Sequence, residues 1–354
     1  MIKTKVISAA VFGLVLACSA TVKAQQKFTW TYANGYGKNH FVVGTVADEM
    51  FKRIDKATEG RLKIRHIPAG ALLRAEQMVE GVNGGVANMG AVVAAQFPGH
   101  LPISATLSGL VDLDYGNKTN ISGVMAITEQ LYQQIPEFAA EFEKLGLRPI
   151  LFVPAPPYAA ISTKPIQNLA DFEDNKIRSF GTLIQQMIGA AGGTPVSVAF
   201  GDIYTSLQTG LLDAAFTDPP AMIDGKFYEV AKNVLTTGAG HGAYTATAAN
   251  IYVVNMNSWN ALPKDLQDAV LSVADGMDDY IVDGLTKRID KSFEQLAGHG
   301  VTVRHLDKQQ LDELSARISG QWKNAEAILD RNGLPGGQIV SKYHDIANSY
   351  IGSK

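Results

Sequence analysis

Cysteine is almost missing: Cys18 is the only one in 354 residues. It falls inside an N-terminal stretch that reads as removable. Without it, disulfides, thiolate nucleophiles and cysteine metal sites are excluded. A chain this long needs no disulfide staples, because it can bury a large core. Long apolar runs are also lacking, since the charge-free run Val6–Ala17 is shorter than the roughly 20 residues that span a bilayer. There is no low-complexity tract, internal repeat or Lys/Arg-rich block. With 31 basic residues against 34 acidic ones, the formal charge is −3, a poor match for nucleic acid or an anionic membrane.

Catalytic signatures are missing too. No Gly-x-Ser-x-Gly elbow and no phosphate loop ending in Gly-Lys-Ser/Thr occurs. Gly238-Ala239-Gly240-His241-Gly242 is glycine-rich but opens no evident helix, which suits a lobe connection better than a nucleotide cradle. None of the seven histidines stands four residues from another, so helical zinc ligation has no support. No spacing singles out an acid–base pair of carboxylates. The expectation is a protein that is not an enzyme and needs no cofactor or metal.

What is present begins with Lys3 and Lys5, the Val6–Ala17 run and Val22-Lys23-Ala24 before Gln25. That is the layout of a secretory signal peptide over residues 1–24. Cys18 loosely fits a lipoprotein box, but Leu16 before Ala17 fits it poorly, so cleavage after Ala24 is the reading taken. Removing Lys3, Lys5 and Lys23 leaves 28 basic side chains against 34 acidic ones, a formal charge of −6. The remaining length suits two domains.

Phe28–Tyr32 alternates like a strand and runs into Asn34-Gly35-Tyr36-Gly37, a turn signal. Val42, Val46, Met50 and Ile54 then mark a helix with one buried face. Strand-like Leu62–Ile67, a helix near Gln77–Asn83 and a strand at Met89–Val93 complete an α/β unit. A second unit follows Gly146, with strands at Pro149–Val153, Ala159–Ser162 and Ala214–Thr217 and helices at Leu183–Ala191 and Ile203–Leu212. Leu266 through Leu296 keeps one helical stripe whose period Gly276 and Gly284 do not break. It predicts a single long helix crossing two α/β lobes that enclose a cleft.

Lys164-Pro165-Ile166, Leu169, Asp171-Phe172, Lys176-Ile177-Arg178, Gly193, Pro195, Phe200, Asp202, Tyr204, Leu207-Gln208, Gly210, Asp213 and Lys226–Lys232 follow in order. With Asn257, Trp259, Leu262-Pro263, Gln267, Gly60-Arg61-Leu62 and Glu76, this series resembles the DctP-like binding proteins of TRAP (tripartite, ATP-independent) transporters. The resemblance covers nearly the whole mature chain. It implies a two-lobed, class II-like periplasmic binding protein, with small and large membrane subunits as partners. The expected lobes are 25–154 plus about 245–283, and 155–244 plus about 284–354.

In that family an arginine of the second lobe pairs with a ligand carboxylate, and Arg178 stands at its position. A guanidinium suits the task, since its planar fork matches a carboxylate with two hydrogen bonds and keeps its charge. Phe200 matches a pocket aromatic, or is ordinary core. A family asparagine is replaced here by Thr217 or Asp218, depending on the count. Asp218 would repel a carboxylate unless it meets a hydroxyl or ammonium group; its other reading is as the residue that opens the Pro219-Pro220 turn. Tyr158 stands where some members carry a second arginine. The run around Val93 is apolar where some carry a glutamate. Tyr36, Tyr158 and Phe180 offer stacking surface, or ordinary packing. The reading is a receptor for a monocarboxylate with an apolar or aromatic body. An ABC-transporter or chemoreceptor binding protein is the alternative, and an exported hydrolase a more remote one.

Overall fold

A computed structural model describes residues 26–113, 120–237 and 242–352. The expected signal peptide with its cleavage site, Cys18 and most of the Gly238–Gly242 stretch lie outside them.

The first sheet contains β1 (Phe28–Ala33), β2 (Leu62–Ile67), β3 (Met89–Val93), β4 (Leu147–Val153) and, from much later in the chain, β10 (Asn250–Asn255). Its order is β2-β1-β3-β10-β4, with β10 antiparallel to both neighbours. The second is built from β5 (Ala159–Ser162), β6 (Lys176–Ser179), β7 (Thr194–Ser197), β8 (Ala214–Thr217), β9 (Asn233–Thr236) and β11 (Thr302–His305), in the order β11-β9-β5-β8-β6-β7. Side chains alternate across each sheet. Val92, Phe152, Ile251 and Val253 join one core, while Ala91, Leu151, Tyr252 and Val254 join the core on the opposite face. The second sheet divides likewise, with Ala160 and Phe216 on one face and Ile161 and Ala215 on the other. Covered on both faces, β10 is buried throughout and reads as an unbroken apolar run flanked by asparagines.

The long stripe is two helices, Lys264–Asp275 and Asp278–Gly298, bent at Gly276-Met277. Gly276 is the C-cap of the first, and Arg53 donates to its carbonyl at 2.8 Å. The buried period survives because Met277 fills the bend with no exposed surface. Leu285 and Ile289 pack under the first sheet and Leu296 under the second, so the second helix spans both lobes. The helix expected around Val42 also starts differently. Phe41–Thr45 is one π turn that runs into the α-helix Val46–Ala57.

The end of the chain departs from the expected lobe assignment. Helix Lys308–Ile318 packs on the second lobe through Leu314 and Ile318. The helices Gln321–Arg331 and Gly336–Gly352 cross back, placing Ala325, Leu329, Ile339, Val340 and Tyr343 in the first lobe's core. Tyr343 also donates its hydroxyl to buried Asp112. Their amphipathic period shows that one face is buried but not which sheet covers it.

Helix Pro102–Ser108 has Leu101 at its N-cap, which supplies no capping side chain. Buried Glu141 takes over that role from another helix. Its carboxylate accepts from the Ile103 amide at 2.8 Å, the Ser104 amide at 3.1 Å and the Ser104 hydroxyl. Burial pushes its pKa up to about 7 against the lowering effect of those donors. Glu141→Ala strands two helix-terminal amides and should cost about 2–4 kcal/mol in urea unfolding. An unchanged midpoint at unchanged slope would show the cap to be dispensable.

Candidate functional site

Ligands of open α/β sheets bind beyond the carboxyl ends of the parallel strands. In this chain those ends converge on one cleft. Tyr36 follows β1, Val93 ends β3, Phe180 follows β6, Phe200 follows β7, Thr217 ends β8 and Asp218 comes next. Tyr158 and Asn250 open the antiparallel strands β5 and β10, so they reach the same rim. The cleft, about 750 Å³ of empty space counting its solvent-open mouth, also touches His40, Phe41, Gln96, Asp224, Leu285 and Arg288.

Arg178 sits within β6, paired across the sheet with Val196 and Ala215 and only 7% exposed. Its Nε donates to the Val198 carbonyl at 3.1 Å and Nη1 to the Phe216 carbonyl at 3.4 Å. Two neighbouring strands thus hold the guanidinium from behind. Its Cζ lies 4.9 Å from the centre of the Phe180 ring, a cation–π distance. Tyr158 packs on Phe180 at 5.3 Å and stacks on Phe216 at 5.5 Å. Among the described residues no carboxylate comes within ion-pair distance of Arg178. Burial lowers its pKa, partly opposed by Tyr36, Tyr158 and Asp218, yet a guanidinium remains charged in water.

Asp218 is the N-cap of helix Pro219–Asp224, and its Oδ1 accepts from the Ala221 amide at 2.9 Å. The turn-opening reading and the cleft-facing reading therefore both describe it. Burial raises its carboxyl to about 6 despite the Ala221 bond, with Asp224 raising it further and Arg288 opposing. Thr217 is nearly covered and also lines the cleft.

Tyr36 belongs to the first lobe and Phe200 to the second, and their rings meet edge to face at 6.3 Å. Gln96 donates to the Tyr36 hydroxyl at 3.2 Å. All eight candidate residues, Tyr36, Val93, Tyr158, Arg178, Phe180, Phe200, Thr217 and Asp218, line this one cleft, the first two from the first lobe and the rest from the second.

Sequence reasoning missed His40, Phe41, Asp224, Leu285 and Arg288. Arg288 projects from the lobe-spanning helix and donates through Nη2 to both oxygens of Asp224, at 2.6 and 2.7 Å. Leu285 had been read as core stripe, and Arg288, three residues on, reads as solvated face. Only the closeness of His40 to the Tyr36 turn hinted at its place. Chemically, among the described residues, the cleft offers one cation without a counter-ion, a balanced ion pair, a neutral phenol and apolar walls. Among the described residues no His/Cys/Asp/Glu group has an arrangement fit for a metal ion.

The sequence pattern of bacterial extracellular solute-binding protein family 7, DctP, matches residues 33–327. The ectoine-binding periplasmic protein TeaA of Halomonas elongata is 24% identical over 219 residues, spanning 61% of this chain and 61% of that protein. The match thus covers less than two-thirds of that relative's length. A TRAP solute-binding protein of Rhodoferax ferrireducens, solved with copurified benzoate, has the same fold with a TM-score of 0.81 at 17% identity, covering 92% of this chain and 98% of that one. DctP7 of Bordetella pertussis, a solute receptor binding pyroglutamic acid, gives 0.72 at 20% identity over 90% and 99%.

Raised above its unfolded value, the Asp218 pKa makes the folded state hold an extra proton between about pH 4 and 6. The stability contributed by this residue is full below pH 4 and is lost as pH rises through 6. Carboxyl-carbon NMR titration should give a midpoint near 6, and Asp218→Asn should remove that part of the pH dependence. A midpoint near 4 would mean that the carboxylate is fully hydrated.

Proposed function

Because this chain belongs to the DctP family of bacterial extracellular solute-binding proteins, receptors rather than enzymes, we propose that it is the extracytoplasmic receptor of a TRAP transporter. Its ligand on this reading is a monocarboxylate with an apolar or aromatic body. The supporting observation is Arg178, a buried cation held by two main-chain carbonyls with no carboxylate among the described residues at ion-pair distance. An unpaired buried charge is costly, so an anion that completes it gains both Coulomb energy and hydrogen bonds. Asp224 already neutralises the cleft's other guanidinium, Arg288, which supports one ligand carboxylate rather than two.

No covalent step is involved. The carboxylate docks on the outward N–H groups of Arg178, beside the neutral Tyr158 phenol. Phe180, Phe200, Tyr36 and Val93 cover its apolar body. Closure brings Tyr36 and Phe200 together and removes water, strengthening the ion pair through contacts that exist only in the closed state. The closed receptor then delivers its ligand to a small and a large membrane subunit. Residues 1–24 act as the signal peptide that sends the chain to the periplasm. Among the described residues no helix is long and apolar enough to cross a membrane.

A thermal-shift screen of organic acids should give a saturable rise in melting temperature with a monocarboxylate, by mass action on the native state. In calorimetry Arg178→Ala should weaken that acid by about 100-fold or more, and Arg178→Lys should restore only part, lacking the fork. Retained affinity in Arg178→Ala would sink the anchoring role. Affinity for the acid should also rise as pH falls from 7.5 to 5.5, because Asp218 gains a proton and stops repelling the bound anion. That rise should vanish in Asp218→Asn; a rise that persists there would assign it to another group.

A further inference from the structure

We propose that the cleft has a second recognition point, the His40 imidazole, for an uncharged hydroxyl or amide group carried by the same acid away from its carboxylate. This rests on the receptor reading above and narrows the ligand from an acid to a bifunctional acid.

The first support is how His40 is held. It directly precedes the π turn Phe41–Thr45, and its carbonyl accepts from the Gly44 amide at 2.7 Å and the Thr45 amide at 3.1 Å. Its own amide donates to the Gly37 carbonyl at 3.0 Å. The turn is fastened by buried side chains. Tyr32 and Asn34 both donate to the Val43 carbonyl, at 2.7 and 3.0 Å, and Tyr252 donates to the Val42 carbonyl at 2.7 Å. Gly44 is required, since a Cβ there would lie 2.0 Å from the Lys38 carbonyl oxygen. Such single π turns re-aim side chains and recur at functional sites. Here the turn fixes His40 to the cleft wall.

The second support is an unused polar group. Among the described residues neither ring nitrogen of His40 has a hydrogen-bond partner, and Nδ1 is shielded from water as well. Buried polar atoms are almost always paired, so this one calls for an explanation. The charged groups around it do not take it: Asp224 and Arg288 are bonded to each other. Burial lowers the His40 pKa to about 4, with Asp224 opposing and Arg288 adding to the effect. A neutral imidazole has one donor and one acceptor, which a hydroxyl or an amide can satisfy. A second carboxylate could use only the donor nitrogen, leave the acceptor unmet, and bring its charge near that of Asp224.

The third support is spacing. The His40 ring lies 4.9 Å from Tyr36, which in turn touches Phe200 across the cleft. Arg178 instead gathers Phe180, Tyr158 and Asp218. The two polar points thus share one cleft with aromatic surface between them.

Matched pairs of acids test the proposal by calorimetry: benzoate against 4-hydroxybenzoate, and cyclopentanecarboxylate against pyroglutamate. In the wild-type protein the polar member of at least one pair should bind about 10-fold tighter or more. In His40→Phe that advantage, read as the affinity ratio within each pair, should fall to about 2-fold or less. His40→Asn, which keeps a donor and an acceptor on a shorter arm, should recover part of it and guards against misfolding of the phenylalanine variant. An advantage that survives in both variants, or none in any wild-type pair while a parent acid binds, overturns the His40 role and leaves the receptor reading standing. If no member of either pair binds, both fall.

Discussion

The structure turns on the burial of one positive charge. Arg178 lies within a strand, covered by protein and backed by the carbonyls of Val198 and Phe216. Those carbonyls fix its direction without cancelling its charge, which a carboxylate partner would do. The neighbours supply bulk and weak polarity instead: the Phe180 face, the Tyr158 phenol and an Asp218 whose raised pKa reduces its own negative charge. A fixed dipolar frame around an uncompensated cation is preorganised for an anion and needs little reorganisation when one arrives.

The frame requires two lobes, because one sheet exposes its rim to water. The chain passes between sheets at β4 to β5, at β9 to β10, along helix Asp278–Gly298 and again before Gln321. The two lobes are thus joined by several crossings rather than by a single linker. The lobe-spanning helix also takes part in the site, contributing Leu285 and Arg288 to the cleft. Gly284 on the same helix leaves room for Phe41, whose ring carbon would sit 2.4 Å from a Cβ at that position. The helix and the π turn are therefore fitted to each other where the cleft wall is formed.

Much of this was legible in residue patterns. Four-residue spacing placed Val42, Val46, Met50 and Ile54 on one buried face, and the apolar runs at Met89–Val93 and Ala159–Ser162 are strands. Six of the eight candidate residues came from the resemblance, and Tyr36 and Phe180 from a search for stacking surface; all eight line the cleft at or near strand ends of the two lobes. What stayed hidden has identifiable causes. The bend at Gly276 is invisible to periodicity because Met277 continues the buried stripe. A π turn leaves no compositional mark, since its carbonyls are met by tyrosines remote in sequence. Arg288 looks solvated because its partner Asp224 lies 64 residues away. Sheet membership of the last two helices depends on tertiary packing that period does not encode.

That last feature has a bearing on the order of assembly. The strands of the second sheet are complete by His305, whereas the first lobe's core still lacks Ala325, Leu329, Ile339 and Tyr343. In a chain that emerges amino end first, the lobe begun earliest is therefore finished last. Until its final helices arrive, the helices Pro102–Ser108 and Ile121–Gln134, against which they pack, keep an uncovered apolar face. The first lobe's core thus stays open for as long as the carboxyl end is withheld, and its closure waits on the last two helices.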